Sequence, residues 1–137
     1  MRLARIRRTP DAPVEMVVAI GAETDGERVL SLREIEACGG ADPVAALATL
    51  GVDGLRAEVD RLLGAGASTI PADDLIFEPP VAVCSKICCL ALNYVAHAQE
   101  SRLEVPPTPV LFFKPSTALV GHRAPIRPPS RTKHVEH

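Results

Sequence analysis

Tryptophan is absent from this 137-residue chain, and it has one tyrosine and three phenylalanines. Base stacking on aromatic platforms therefore has little to use. Neither charge sign dominates, with 15 Lys+Arg against 17 Asp+Glu, so no basic field exists to gather phosphate backbones or anionic headgroups. No run approaches the roughly 20 apolar residues of a membrane span. The first eight residues, Met1 to Arg8, are charged like the start of a secretion signal, but no apolar stretch or small-residue cleavage site follows. These absences argue against nucleic acid and membrane as partners and give a cytoplasmic expectation. Cysteine is sparse: Cys38, Cys84, Cys88 and Cys89 match neither paired zinc knuckles nor a secreted disulfide framework. They are expected to be reduced core thiols, with Cys88 and Cys89 on opposite sides of a strand. The alternative is a thiol redox or metal module built on Cys84, Cys88 and Cys89.

What is present suffices for a globular chain, since 47% of the residues are hydrophobic. Val14–Ala19 and Arg28–Leu32 read as two strands, and Thr24-Asp25-Gly26 between them supplies hairpin-turn chemistry. A helical turn over 34–38 is stopped by Gly39-Gly40, and Asp42-Pro43 then offers an N-cap followed by proline at the first helical position. That predicts a short helix to Leu50. A second helix is predicted over 52–63, where Leu55, Val59, Leu62 and Leu63 share one face, and Gly64 ends it. Residues 65–80 carry Gly66, Pro71, Pro79 and Pro80 and are expected to be loop. A domain boundary or linker is placed near residues 72–82, giving residues 1–80 and 81–137. Beyond it, Lys86–Leu92 (KICCLAL) and Pro109–Phe113 (PVLFF) are apolar enough for strands buried on both faces. A helical turn is predicted over 95–102 and a proline-rich loop over 122–133.

Within that second region His97 and Glu100 stand three apart, on one face of a helix and within hydrogen-bonding reach. A carboxylate there can orient an imidazole for general-base work. An HxxE pair alone is equally the mark of an exposed helix face with an incidental ion pair. Lys114 ends an apolar strand, a place where lysines are ordinarily solvated. Arg123, Arg127, Arg131 and Lys133 suggest an anion patch, but prolines space them, and solvated loop charge explains them as well.

The segment KICCLALNYVAHAQESRLEVPPTPVLFFKPSTALVG, Lys86 to Gly121, closely resembles the stretch that opens the catalytic domain of the fumarylacetoacetate hydrolase family. The resemblance rests on the apolar strand into Asn93-Tyr94, the His97 and Glu100 pair, the proline-bearing spacer, Phe-Phe-Lys114-Pro115 and Ala118 to Gly121. It covers the last third of the chain strongly and the rest only by layout. It implies an α+β protein, a small N-terminal α/β domain followed by the first strands of a mixed β-roll. It also implies His97 as general base, Glu100 as its orienting partner and Lys114 near the active site.

The family's ion, Mg2+ or Mn2+ with Ca2+ possible, is held by a Glu-x-Glu pair and a later Asp, hard oxygen ligands suited to such cations. Glu136 matches the first of these, and the partner position would be one residue past His137. The chain is thus expected to be the N-terminal part of a longer enzyme and inactive alone. His134 and Glu136 share a strand face with no third ligand, which falls short of an independent metal site. The implied reaction is hydrolysis of a C–C bond in a 1,3-diketo acid such as fumarylpyruvate in aromatic catabolism, by a homodimer taking a small 2-oxo acid. Isomerisation or decarboxylation of 2-hydroxy-diene-dioates is the alternative on the same scaffold. A different class of reading is a non-catalytic fragment that folds and self-associates through unpaired strand edges.

Overall fold

The computed structural model describes residues 1–21 and 27–131. The expected Thr24-Asp25-Gly26 turn lies outside the described residues, as do His134, Glu136 and His137. Two compact units are present: residues 1–82 together with the chain from Val120 onward, and residues 83–119. The division expected at residue 80 therefore has a second crossing, because residues after 119 return to the first unit.

Strands β1 (Leu3–Arg7), β2 (Glu15–Ile20) and β3 (Arg28–Ser31) form the middle of a five-stranded sheet. Its edges are β4 (Ile70–Pro71) and β5 (Ile76–Glu78), in the order β4-β3-β2-β1-β5. Every ladder is antiparallel. The class is therefore α+β, as expected, and the small N-terminal domain holds its strands in one antiparallel sheet. Period-two alternation gives the sheet two apolar faces. One carries Met16, Val18, Leu30 and Leu32 and packs against the helix, with Ile35 and Cys38 in the same core. The other carries Ile6, Val17 and Val29 around the buried Ala72.

The position of Ala72 follows from chain length. A flat sheet would separate the edge strands by roughly 19 Å, yet Pro71 and Ile76 are five residues apart and reach about 18 Å at full extension. The link is shortened further by a turn in which the Leu75 N–H donates to the Ala72 carbonyl at 3.2 Å. The sheet must therefore curl, and the link closes over its concave face.

Strand β1, expected only as a charged terminus, is held because its arginines are partnered. Arg5 donates to the carbonyls of Ala41 (2.7 Å), Pro79 (2.9 Å) and Val81 (3.2 Å). Arg7 donates to Glu78 at 2.6 Å and to the Ala12 carbonyl at 2.7 Å. Strands β4 and β5 correct the expected loop over 65–80 for the same kind of reason: their ladder bonds go to residues more than 40 positions away.

Helix α1 (Pro43–Gly64) begins as predicted, with the Asp42 side chain accepting from the Val44 N–H at 3.0 Å. Gly51, at φ 69° and ψ 174°, breaks it into the two expected helical stretches. Leu55, Val59 and Leu62 are buried, while Leu63, placed on the same face from the sequence, is exposed.

The second unit is a hairpin of β6 (Ile87–Ala91) and β7 (Val110–Lys114), joined through α2 (Val95–Glu100) and the proline spacer. Its strands correct the expectation of burial on both faces. In β6 half-buried and exposed residues alternate, and all of β7 is exposed. The outward face carries Leu90, Leu111 and Phe113, the last 63% exposed.

Two outcomes test this account of the first unit. A Cβ on Gly121 would stand 1.6 Å from the Phe77 carbonyl oxygen, so Gly121→Ala is expected to lower stability by roughly 3 kcal/mol in urea unfolding. An unchanged midpoint would refute that packing. The Glu15 carboxyl provides the second. Burial pushes it up, but hydrogen bonds from Arg8 and Ser31 and the charges of Arg8 and Arg33 prevail and hold it below the ordinary value. Such a group stabilises the fold above its unfolded pKa, about 4.3, and loses that contribution as pH falls through the folded value. Glu15→Gln should flatten the acid limb of the stability curve and leave the limb above pH 7 in shape.

Candidate active site

The six residues of α2 are too few to hold as an isolated helix. They persist because Ala98 is buried and because the C-terminus is closed by two backbone bonds, Arg102 N–H to Gln99 (3.1 Å) and Leu103 N–H to Ala98 (2.9 Å). That is the paired pattern of a Schellman ending. The N-cap, Tyr94, makes no side-chain bond to the first turn. His97 and Glu100 flank the buried Ala98, and both are exposed. Their i, i+3 spacing puts them on neighbouring positions of the helix surface. No hydrogen bond or ion pair joins the two side chains among the described residues. The arrangement offers an accessible imidazole with a carboxylate one turn away, able to take or give a proton at the surface of this unit.

Lys114 is not part of that pair. The ladder register sets it opposite Ile87, at the end of the hairpin away from the α2 connection. Four residues of β7 separate it from Val110, about 14 Å along a strand. The structure thus brings His97 and Glu100 together on one helix and leaves Lys114 at the far end, while Glu136 lies outside the described residues. Among the described residues no three His, Cys, Asp or Glu side chains cluster as a metal site.

Cavities do not coincide with this chemistry. In the hairpin unit a cavity of about 280 Å³ is lined by Leu90, Leu92, Asn93, Val105 and the spacer prolines, and His97 is not among its walls. In the first unit a cavity of about 620 Å³ is lined by Arg2, Glu27, Asp73, Phe77, His122 and Arg123. It is ligand-sized, but its rim charges are already paired, Arg2 with Glu27 at 3.1 Å and Arg123 with Asp73 at 3.2 Å.

The cysteines do not share one environment, which corrects the expectation of four core thiols. Only Cys38 is buried; Cys84 and Cys89 are half-buried, and Cys88 is exposed. All four are unpaired, and Cys84, Cys88 and Cys89 do not assemble as a metal site. Sequence reading missed Leu92 and Arg102, non-glycine residues with left-handed backbones at φ 51° and 56°. Nothing in their side chains signals that conformation.

Comparison with known proteins finds relatives for the latter part of the chain. Residues 86–137 match the model of the fumarylacetoacetate hydrolase C-terminal domain. An uncharacterized protein of Archaeoglobus fulgidus is 42% identical over 81 residues, covering 58% of this chain and 32% of its own length. The oxaloacetate tautomerase Fahd2a, mitochondrial, of Rattus norvegicus is 37% identical over 76 residues, 56% of this chain and 24% of its own. The human oxaloacetate tautomerase FAHD2A, mitochondrial, is 30% identical over the same number of residues, again 56% and 24%. No solved structure matches. From residue 86 onward the chain is therefore similar to proteins of the fumarylacetoacetate hydrolase family, and its matches span less than a third of the length of these relatives. No helix among the described residues is long and apolar enough to cross a membrane.

Thiol labelling checks the environments. Cys38, whose thiol is pushed up by burial and by the Glu58 carboxylate, should resist a disulfide reagent in the native chain, while Cys88 reacts first. Equal rates for all four would contradict this core.

Proposed function

We propose that residues 86–137 open the catalytic part of an enzyme acting on small 2-oxo acids, and that its reaction is keto–enol tautomerisation of an oxaloacetate-like substrate. One observation carries the reading: the segment bearing Asn93, Tyr94, His97 and Glu100 matches a hydrolase and tautomerase family, and named relatives that match this chain are oxaloacetate tautomerases.

The chemistry asked of the chain is a proton transfer. His97 in its neutral form accepts a proton from the carbon beside the keto group, and a proton is delivered to the carbonyl oxygen, leaving an enol. In the reverse direction the imidazolium returns the proton to carbon. Glu100 orients the ring and stabilises its charged form, closing on it when substrate is bound, since such contacts commonly tighten only in the complex. Lys114 supplies a cation for a substrate carboxylate only if the complete catalytic fold brings its end of the hairpin toward α2.

A divalent ion, Mg2+ or Mn2+ with Ca2+ as the third choice, belongs to this proposal with Glu136 as one ligand. When bound it would polarise the keto oxygen. The described residues do not form a site for it by themselves. The β-roll continuation, a homodimer and a cytoplasmic setting complete the reading; four unpaired cysteines suit a reducing compartment.

A second reading has a specific support in the family's hydrolase name. There His97 would take its proton from water, hydroxide would add to the distal carbonyl of a 1,3-diketo acid, and C–C cleavage would leave an enolate and a carboxylic acid. The diagnostic is product: tautomerisation conserves the substrate's atoms, whereas hydrolysis adds one water and yields two acids.

The rat tautomerase, with its matched segment replaced by the corresponding residues of this chain, should ketonise enol-oxaloacetate, followed by loss of enol absorbance. His97→Ala in that chimera is expected to cost ~10²- to 10⁴-fold in kcat, with an unchanged melting temperature. A His97→Ala chimera that is folded and fully active would end the reading. Titration calorimetry of Mn2+ into the 137-residue chain should show no tight site, and a tight one would mean that His134, Glu136 and His137 bind metal by themselves.

A further inference from the structure

Both ends of the helix that carries His97 are marked by left-handed non-glycine residues. Leu92, at φ 51°, turns the chain out of β6, and Arg102, at φ 56°, turns it away after α2. A bulky side chain in that region is an outlier that the surroundings must hold in place. The two residues are held differently. Arg102 occupies the position after the helix cap where glycine ordinarily sits, its side chain is exposed, and the backbone bonds to Gln99 and Ala98 fix it. Leu92 makes no such closing bond. Leu92 is half-buried and stands with Val105, Pro106, Pro107 and Pro109 around one small cavity, the latter being residues of the spacer that returns the chain to β7.

We propose that Leu92 is a positioning residue for His97: its side chain, seated beside the proline spacer, holds the left-handed turn that aims α2, and so sets where the imidazole is presented. The proposal rests on the functional reading above for its catalytic consequence, but its structural half stands alone. Proline fixes its own φ, so the spacer is a stiff surface against which a leucine can lock an otherwise unfavourable turn. Glycine at 92 would adopt the same φ without strain, but would lose the seat and gain access to many other conformations. Glycine at 102 would only relieve strain, because nothing but backbone bonds holds that turn.

The two glycine variants should therefore act in opposite directions, and NMR of the whole 137-residue chain reads them without any activity. In the parent chain the α2 residues should show helical carbon shifts and heteronuclear NOE values matching those of β6. Leu92→Gly should lower both over Val95–Glu100 while the first unit's amide spectrum and melting temperature stay unchanged. Leu92→Met, similar in volume, should restore them, and Arg102→Gly should leave them equal or higher. Unchanged α2 shifts in Leu92→Gly, or losses as large in Arg102→Gly, would overturn the proposal. In the tautomerase chimera Leu92→Gly should lower kcat by roughly 10- to 100-fold at constant KM, again recovered by Leu92→Met. A chimera inactive even with Leu92 would sink the functional reading and leave the NMR result to decide the positioning role.

Discussion

The four residues between Pro71 and Ile76 set the form of the first unit. They join the two edges of a five-stranded sheet, a span too wide for them if the sheet were flat, so the sheet must curl. Curling makes one face concave and puts Ala72 into it beside Ile6, Val17 and Val29. The convex face is left to α1, whose Leu55, Val59 and Leu62 cover Met16, Val18 and Leu30. The same edge receives the chain again from residue 120, where Gly121 approaches the Phe77 carbonyl and His122 sets its ring edge-on to Phe77 at 5.2 Å. A stretch with the family's sequence thus packs against a sheet that the family model does not cover.

What was legible in the sequence depended on whether its cause was local. Asp42-Pro43 is an N-terminal signal complete within three residues, and the apolar face of Leu55, Val59 and Leu62 needs only one helix to be seen. Strands β6 and β7 were legible as apolar runs, although their burial was not, because exposure depends on what packs against them. Strand β1 was hidden by Arg5 and Arg7, whose partners Ala41, Pro79 and Glu78 lie 36, 74 and 71 residues away. The candidate site follows the same rule. His97 and Glu100 could be paired from spacing alone, whereas the place of Lys114 depends on ladder register, which the sequence does not display. Leu92 was illegible because leucine has no preference for the backbone it adopts.

The pair on α2 shows how a chemical motif and a binding cavity can be separate properties of a chain. The helix is anchored by one buried alanine and a closed C-terminus, which leaves the imidazole and the carboxylate free at the surface. Neither cavity described here includes them. Tautomerisation and C–C hydrolysis ask the same first act of such a group, a proton accepted by neutral histidine, and differ in whether carbon or water supplies it. Under the proposed reading, that shared demand would let one helix serve either chemistry, with specificity supplied by the walls around it.

Arg5 has a role beyond stabilising its own strand. By gripping the carbonyls of Pro79 and Val81, it holds the chain to the sheet for three residues past the end of β5. The first unit therefore runs on past Glu78, the last residue of β5, to Ala82. One guanidinium on the sheet's second-to-last strand thus carries the limit of the unit beyond the limit of its secondary structure.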